Sequence, residues 1–230
     1  MPDLASRYHE AQQRVAAAAK QVGRSELDVT LVVITKNHPA QLVLDLLDLG
    51  ARDFGENRDQ EAAPKAAEVA VASNEAAKWH FVGQLQSNKA KSALSYSSVL
   101  HSLDRESLLQ SVAKITPMRA APLDVFIQLN LTDDPGRGGI HPENLSAFAE
   151  KVLAVEGINL LGVMGVAALD RAPEIDFETI ASCSAELQKL HTSAKFISAG
   201  MSGDFEKAIA FGATHVRIGT AITGNRPVSG

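Results

Sequence analysis

Eight short apolar stretches, each followed by a segment of helical character, constrain this chain more than any other feature. They are residues 28–36, 51–57, 79–83, 97–103, 123–131, 158–166, 195–200 and 214–219. The segments between them carry apolar side chains at helical spacing, and glycine or proline punctuates many of the joints. Strand–helix alternation is the pattern of a parallel sheet covered by helices. Eight such units in 230 residues predict one domain, a (β/α)8 TIM-type barrel, with an extra helix over 3–22 ahead of the first strand. An open doubly wound sheet is the runner-up, but no Gly-x-Gly-x-x-Gly follows the first strand. Two joints echo one another, DLLDLGARDFGEN (45–57) and KAIAFGATHVRIGT (207–220), and predict helix C-caps at Gly50 and Gly212. Pro64 predicts a kink or a restart within the helix over 58–72.

Composition removes several function classes. The net charge of −5 and a pI near 5.8 argue against a nucleic-acid or anionic-membrane surface. Residues 1–25 lack a basic-then-apolar signal pattern, and no apolar run approaches the roughly 20 residues of a spanning helix. The expectation is a cytoplasmic protein. Cys183 is the single cysteine and the seven histidines show no metal-ligand spacing, so no metal site is expected.

The first apolar run delivers Lys36 at its C-terminal end, just before Asn37, His38 and Pro39. In an α/β barrel that end of a strand carries the chemistry. A desolvated lysine loses its proton more easily, and the neutral amine can form a Schiff base with a carbonyl. A lysine that merely ends a strand in water is the plain alternative. The loops after the seventh and eighth strands, Ser198-Ala199-Gly200-Met201-Ser202-Gly203-Asp204 and Gly219-Thr220-Ala221-Ile222-Thr223-Gly224, are where many barrels bind a phosphate. Glycines allow close approach of an anion, and Ser198, Ser202 and Thr220 add hydroxyl donors. Ordinary turn chemistry, with Asp204 as an N-cap, would explain the same residues. Arg217 lies within the eighth strand, where a ligand ring nitrogen or a carboxylate such as Glu56 would satisfy it. His80 reads as a core histidine, Ser87 as a helix cap or part of an anion site, and Arg137 as a solvated loop residue.

These residues occur in a familiar order. Thr35-Lys36, Phe54-Gly55-Glu56-Asn57, Trp79 through Lys89, Met164-Gly165, SAGMSGD and VRIGTAITG together resemble the pyridoxal phosphate homeostasis protein family. These are small relatives of the alanine racemase N-terminal barrel, and the resemblance runs from the first helix to Gly224. It implies a fold-type III barrel holding pyridoxal 5′-phosphate (PLP) on Lys36 as an internal aldimine. It implies phosphate contacts from Ser198, Met201 and Ser202 in one loop and from Gly219 and Thr220 in the other. It sets Arg217 against the pyridine nitrogen and Asn57 near the cofactor. Asn37-His38, Arg58, Gln84 and Ala199 depart from the residues common in the family.

The resemblance also implies a carrier of vitamin B6 homeostasis, one that stores, buffers or delivers the cofactor without turnover. Its expected partners are PLP and other B6 vitamers, with apo PLP-dependent enzymes as acceptors and the protein itself a monomer or weak homodimer. The alternative is a racemase-like amino-acid enzyme. Racemisation needs a second base opposite the lysine, which racemases of this type take from a C-terminal β-domain. This sequence has only Tyr8 and Tyr96, neither in a loop following a strand. A class I aldolase is a third reading, without a carboxylate clearly paired to Lys36.

Overall fold

A computed structural model describes residues 3–132 and 136–224. The first helix, α1 (Leu4–Gln21), precedes the sheet, and Asp3 caps it by accepting from the Ser6 amide at 2.8 Å. Its buried stripe is Tyr8, Ala11, Val15, Ala18 and Ala19, a single helical face. The repeat then runs β1 (Thr30–Ile34), α2 (Ala40–Asp48), β2 (Asp53–Glu56), α3 (Asp59–Ala72), β3 (Lys78–Phe81) and α4 (Ala90–Tyr96). It continues through β4 (Val99–Leu103), α5 (Glu106–Ala113), β5 (Leu123–Gln128), α6 (Leu145–Leu153), β6 (Ile158–Met164) and α7 (Pro173–Leu190). It ends with β7 (Phe196–Met201), α8 (Phe205–Ala210), β8 (His215–Ile218) and the single turn α9 (Thr220–Thr223). All eight strands are parallel and close into a barrel, β8 pairing with β1. The predicted (β/α)8 architecture is the one observed, with the extra N-terminal helix packed against α8 and α9.

Strand alternation sorts the apolar residues into two clusters. Along β5, Val125 and Ile127 join the large cluster between sheet and helices, whereas Phe126 joins Val99 and Met164 in a separate one inside the barrel. Phe126 is fully buried, and truncating such a side chain to alanine costs about 3–5 kcal/mol.

The echoed joints are the same motif. Gly50 and Gly212 both hold positive φ, +92° and +94°. In each, the following alanine amide reaches back to close the helix, Ala51 to the Leu46 carbonyl and Ala213 to the Ala208 carbonyl, both at 2.9 Å. This Schellman closure turns the chain straight into the next strand. The helix does not restart at Pro64: α3 runs continuously from Asp59 to Ala72, with Pro64 on its exposed side. Pro64 is the sixth residue of α3, so the Gln60 carbonyl loses its intrahelical N–H partner at that turn. The glycine-rich loop after β5 lies partly outside the described residues, at 133–135.

Candidate functional site

Lys36 follows β1 directly and is half-buried. Among the described residues no hydrogen bond or ion pair engages its Nζ. Its two neighbours are the opposite, held on both sides. Thr35 Oγ1 donates to Glu56 Oε1 at 2.7 Å, and Lys65 Nζ donates to the Thr35 carbonyl at 2.9 Å. The Asn37 amide donates to Glu61 Oε1. Lys65 also meets Glu56 at 2.6 Å and Glu61 at 3.2 Å, so one α3 ammonium ties both acids of the bracket together. Glu56 is wholly buried; burial pushes its carboxyl upward, against the stabilising hydrogen bonds of Lys65 and Thr35. Asn37 takes φ +63°, a left-handed turn that asparagine tolerates better than most residues. The backbone is thus clamped on either side of an unengaged amine.

Arg217 is 5% exposed on the inner face of β8. It donates to Ser198 Oγ at 2.5 Å and to the Gly165 carbonyl at 2.9 Å. Among the described residues no carboxylate forms an ion pair with it, and burial brings its pKa down to about 10. The expected partner Glu56 is taken by Lys65 instead, because Glu56 alternates outward toward α3.

The β7 and β8 loops lie side by side. The Gly219 amide donates to Ser202 Oγ at 3.3 Å. Gly219 also packs on β1: a Cβ there would come 3.4 Å from the Ile34 Cβ, two residues from Lys36. No backbone hydrogen bond engages the amides of Ser202, Gly203, Thr220 and Ala221 among the described residues. The Met201 amide is already held by Asp204 Oδ1 at 2.6 Å, so Asp204 braces this loop and does not cap α8 through its side chain. Asn57 follows β2, half-buried, with Gly83 against its backbone.

Ser198 lies deeper than the loop residues that follow it. It is fully buried, and its hydroxyl sits between Arg217 Nη1 and His101 Nδ1, the latter at 2.8 Å. Its side chain lies inside the barrel and is engaged by Arg217 and His101. The other predicted residues gather on four consecutive strand ends: Met201 closing β7 and Ser202 after it, Gly219 and Thr220 after β8, Lys36 after β1 and Asn57 after β2. A cavity of about 770 Å³ lies elsewhere on this face, beyond β5 and β6 around Asn130, His141 and Asp176, and none of the predicted residues lines it. The side chains that sequence reasoning missed are Lys65, with only Glu61 four positions earlier as a signal, and the inner histidines His101 and His215. No helix among the described residues is long and apolar enough to cross a membrane, and no cluster of three or more acid, cysteine or histidine side chains is arranged among them to hold a metal ion.

The family model for the alanine racemase N-terminal domain matches residues 8–227. The pyridoxal phosphate homeostasis protein of Escherichia coli (strain K12) is 34% identical over 232 residues, covering 100% of this chain and 99% of the relative. That of Pseudomonas aeruginosa is 35% identical over 226 residues, covering 98% and 97%. The structure of PipY from Synechococcus elongatus PCC7942, with PLP bound, superposes with a TM-score of 0.80 at 31% identity, covering 93% of this chain and 99% of PipY. The chain belongs to the pyridoxal phosphate homeostasis protein family.

Proposed function

We propose that this protein binds pyridoxal 5′-phosphate at the C-terminal mouth of its barrel, covalently through Lys36, and serves vitamin B6 homeostasis by storing, buffering or delivering it. The observation that carries this reading is the unengaged Lys36 amine between two clamped neighbours, beside the β7 and β8 loops. When bound, the cofactor supplies an aldehyde for an amine and an aromatic ring that can spread negative charge. The residues present fit it. Ser202, Thr220 and the open loop amides would receive the phosphate. Arg217, with N–H groups beyond the two it spends on Ser198 and Gly165, would face the ring nitrogen. Asn57 and Met201 would border the ring and the loop. Relatives with the homeostasis name and PipY with PLP bound support this assignment.

The places of the two tyrosines support carriage without turnover. Tyr8 lies within α1, and Tyr96 closes α4 with its ring edge-on to Trp79 at 6.4 Å. Neither supplies a base opposite Lys36, so inversion at a substrate carbon lacks its second proton carrier. An arginine at the ring nitrogen disfavours protonation there and weakens the ring as an electron sink. Absorbance titration of the purified protein with PLP tests the reading. A new band that Lys36→Ala abolishes is the expected result, and wild-type protein that leaves the PLP spectrum unchanged would overturn it.

A further inference from the structure

A file of hydrogen bonds runs through the inside of the barrel from one mouth toward the other. Arg217 Nη1 donates to Ser198 Oγ (2.5 Å), and Ser198 Oγ meets His101 Nδ1 (2.8 Å). His101 Nε2 meets His80 Nδ1 (2.8 Å), and His80 Nε2 meets Asp53 Oδ1 (2.9 Å). The four inner residues are buried, whereas Asp53, first in β2 and at the N-terminal end of the barrel, keeps 25% of its side chain exposed.

The two ends set the direction of every bond between them. An ionised carboxylate only accepts, so His80 Nε2 carries the hydrogen toward Asp53. A neutral His80 then presents a bare Nδ1, which accepts from His101 Nε2–H. His101 is left with a bare Nδ1, which accepts from the Ser198 hydroxyl. Ser198 Oγ, its hydrogen spent, accepts from Arg217. Burial is the leading influence on both imidazoles and holds them below the usual histidine range, His101 well below it. The charges facing this file are few: Lys78 on β3, Asp124 on β5, His215 on β8, and Asp204 acting on Arg217. Phenylalanine would fill the interior more cheaply than two histidines whose polar atoms need partners. Arg217, meanwhile, is a buried cation whose partners among the described residues are a hydroxyl and a carbonyl.

We propose that Asp53, His80 and His101 are positioning residues for Arg217. The Asp53 carboxylate imposes its polarity through both imidazoles on Ser198, which is thereby locked as an acceptor and holds the guanidinium in one orientation below the Lys36 mouth. This rests on the reading that the mouth holds PLP, and it makes a residue on the far side of the barrel a determinant of cofactor binding.

Nitrogen-15 NMR of the cofactor-free protein, labelled at histidine, tests the file without any cofactor. His80 and His101 should both be neutral Nε2–H tautomers at neutral pH. In Asp53→Asn the amide can donate as well as accept, so Nδ1–H forms should appear at one or both rings. Binding arms then use PLP as the probe. Asp53→Asn should weaken affinity about tenfold, the scale of one hydrogen bond to a charged group, and should shift the pH at which the bound cofactor's absorbance titrates. His101→Phe, which cuts the file beside Phe126, should do the same, and the double variant should be no weaker than either single. An Nδ1–H ring in the wild type, or tautomers and affinity unmoved in Asp53→Asn, or additive losses in the double variant, would overturn the proposal. Wild-type protein that binds no PLP would overturn the functional reading instead, and the tautomers would still decide the file.

Discussion

Lys65 reaches from α3 to the carbonyl oxygen of Thr35, 2.9 Å away, and so holds the residue immediately before Lys36. The same ammonium is the counter-ion of the buried Glu56 and a partner of Glu61, which in turn holds the Asn37 amide on the other side. A lysine at 5% exposure is thus placed where it orders the backbone of another lysine whose amine is left unengaged. The clamp explains how a loop residue can present Nζ in a defined place without a direct hydrogen bond.

Removing Lys65 leaves Glu56 as a buried charge with no cation. Lys65→Met should therefore destabilise the fold by about 3–5 kcal/mol at neutral pH. The joint replacement Lys65→Met with Glu56→Leu should recover most of the loss, since two apolar side chains replace the pair. Urea denaturation of the single and double variants measures this. Equal losses in both would mean that the methylene packing of Lys65, and not its charge, matters.

The phosphate contacts are testable one at a time. Ser202→Ala or Thr220→Ala should each remove a hydrogen bond to a charged group, worth roughly 1.5–3 kcal/mol, or about 10- to 150-fold in PLP affinity. Ser198→Ala should act differently, because its hydroxyl serves Arg217 and His101. It should disturb binding of pyridoxal, which has no phosphate, about as much as binding of PLP. Isothermal titration with both vitamers separates the two effects. Equal binding of pyridoxal and PLP by the wild type would remove the phosphate site altogether.

The inner histidines give the fold a pH dependence of definite sign. Burial lowers His80, His101 and His215, the last to about 3. A base whose folded pKa lies below its unfolded value near 6.5 binds protons chiefly in the unfolded chain between those values. Stability is then complete above about pH 6.5 and falls as pH drops, by up to about 1.4 kcal/mol per unit for each histidine. For His215 the window is from about 6.5 down to about 3. Asp53, held below the usual carboxylate range by His80 although its own burial opposes this, adds a loss in the same direction at still lower pH. Urea midpoints across this range should decline steadily, and His215→Phe should flatten the slope. A profile level between about pH 7 and 5 would mean that these rings protonate in the folded state.

The barrel is legible in the sequence because each parallel strand, buried on both faces, shows as an apolar run, and because the Gly-Ala joints at 50–51 and 212–213 repeat. Strand ends are less so: the first run extends to Lys36, but β1 stops at Ile34 where the chain begins its turn. Strand position marks Lys36 and Arg217 as candidates, and only the family resemblance gives them roles. The fate of Ser198 cannot be read that way. Period-two alternation places it inside the barrel, but its meeting with His101, 97 positions away, depends on the stagger between strands that no local pattern encodes. Lys65 is hidden for a similar reason. Its spacing from Glu61 reads as an ordinary surface pair on a helix, and only the packing of α3 on β1 and β2 turns it inward.

The last prediction concerns turnover. Holo-protein incubated with each common amino acid should yield no racemised, transaminated or decarboxylated product beyond a slow background, followed by chiral chromatography. The reason is the composition of the mouth. Lys36 can move a proton on one side of a bound substrate, but neither tyrosine of the chain stands in a strand-end loop to act on the other. Arg217, buried and cationic, would keep the ring nitrogen of a bound cofactor from taking the proton that would deepen the electron sink. What the site retains is a reversible bond to an amine at the end of a barrel, which suits exchange. Mixing holo-protein with an apo PLP-dependent enzyme should restore that enzyme's activity faster than release into solution allows, and Lys36→Ala should lose the effect. Product formation at ordinary enzyme rates, on the order of 1–10³ s⁻¹, would overturn carriage in favour of catalysis. Transfer no faster than dissociation would confine the role to storage and buffering, with Lys36 setting how long the cofactor stays.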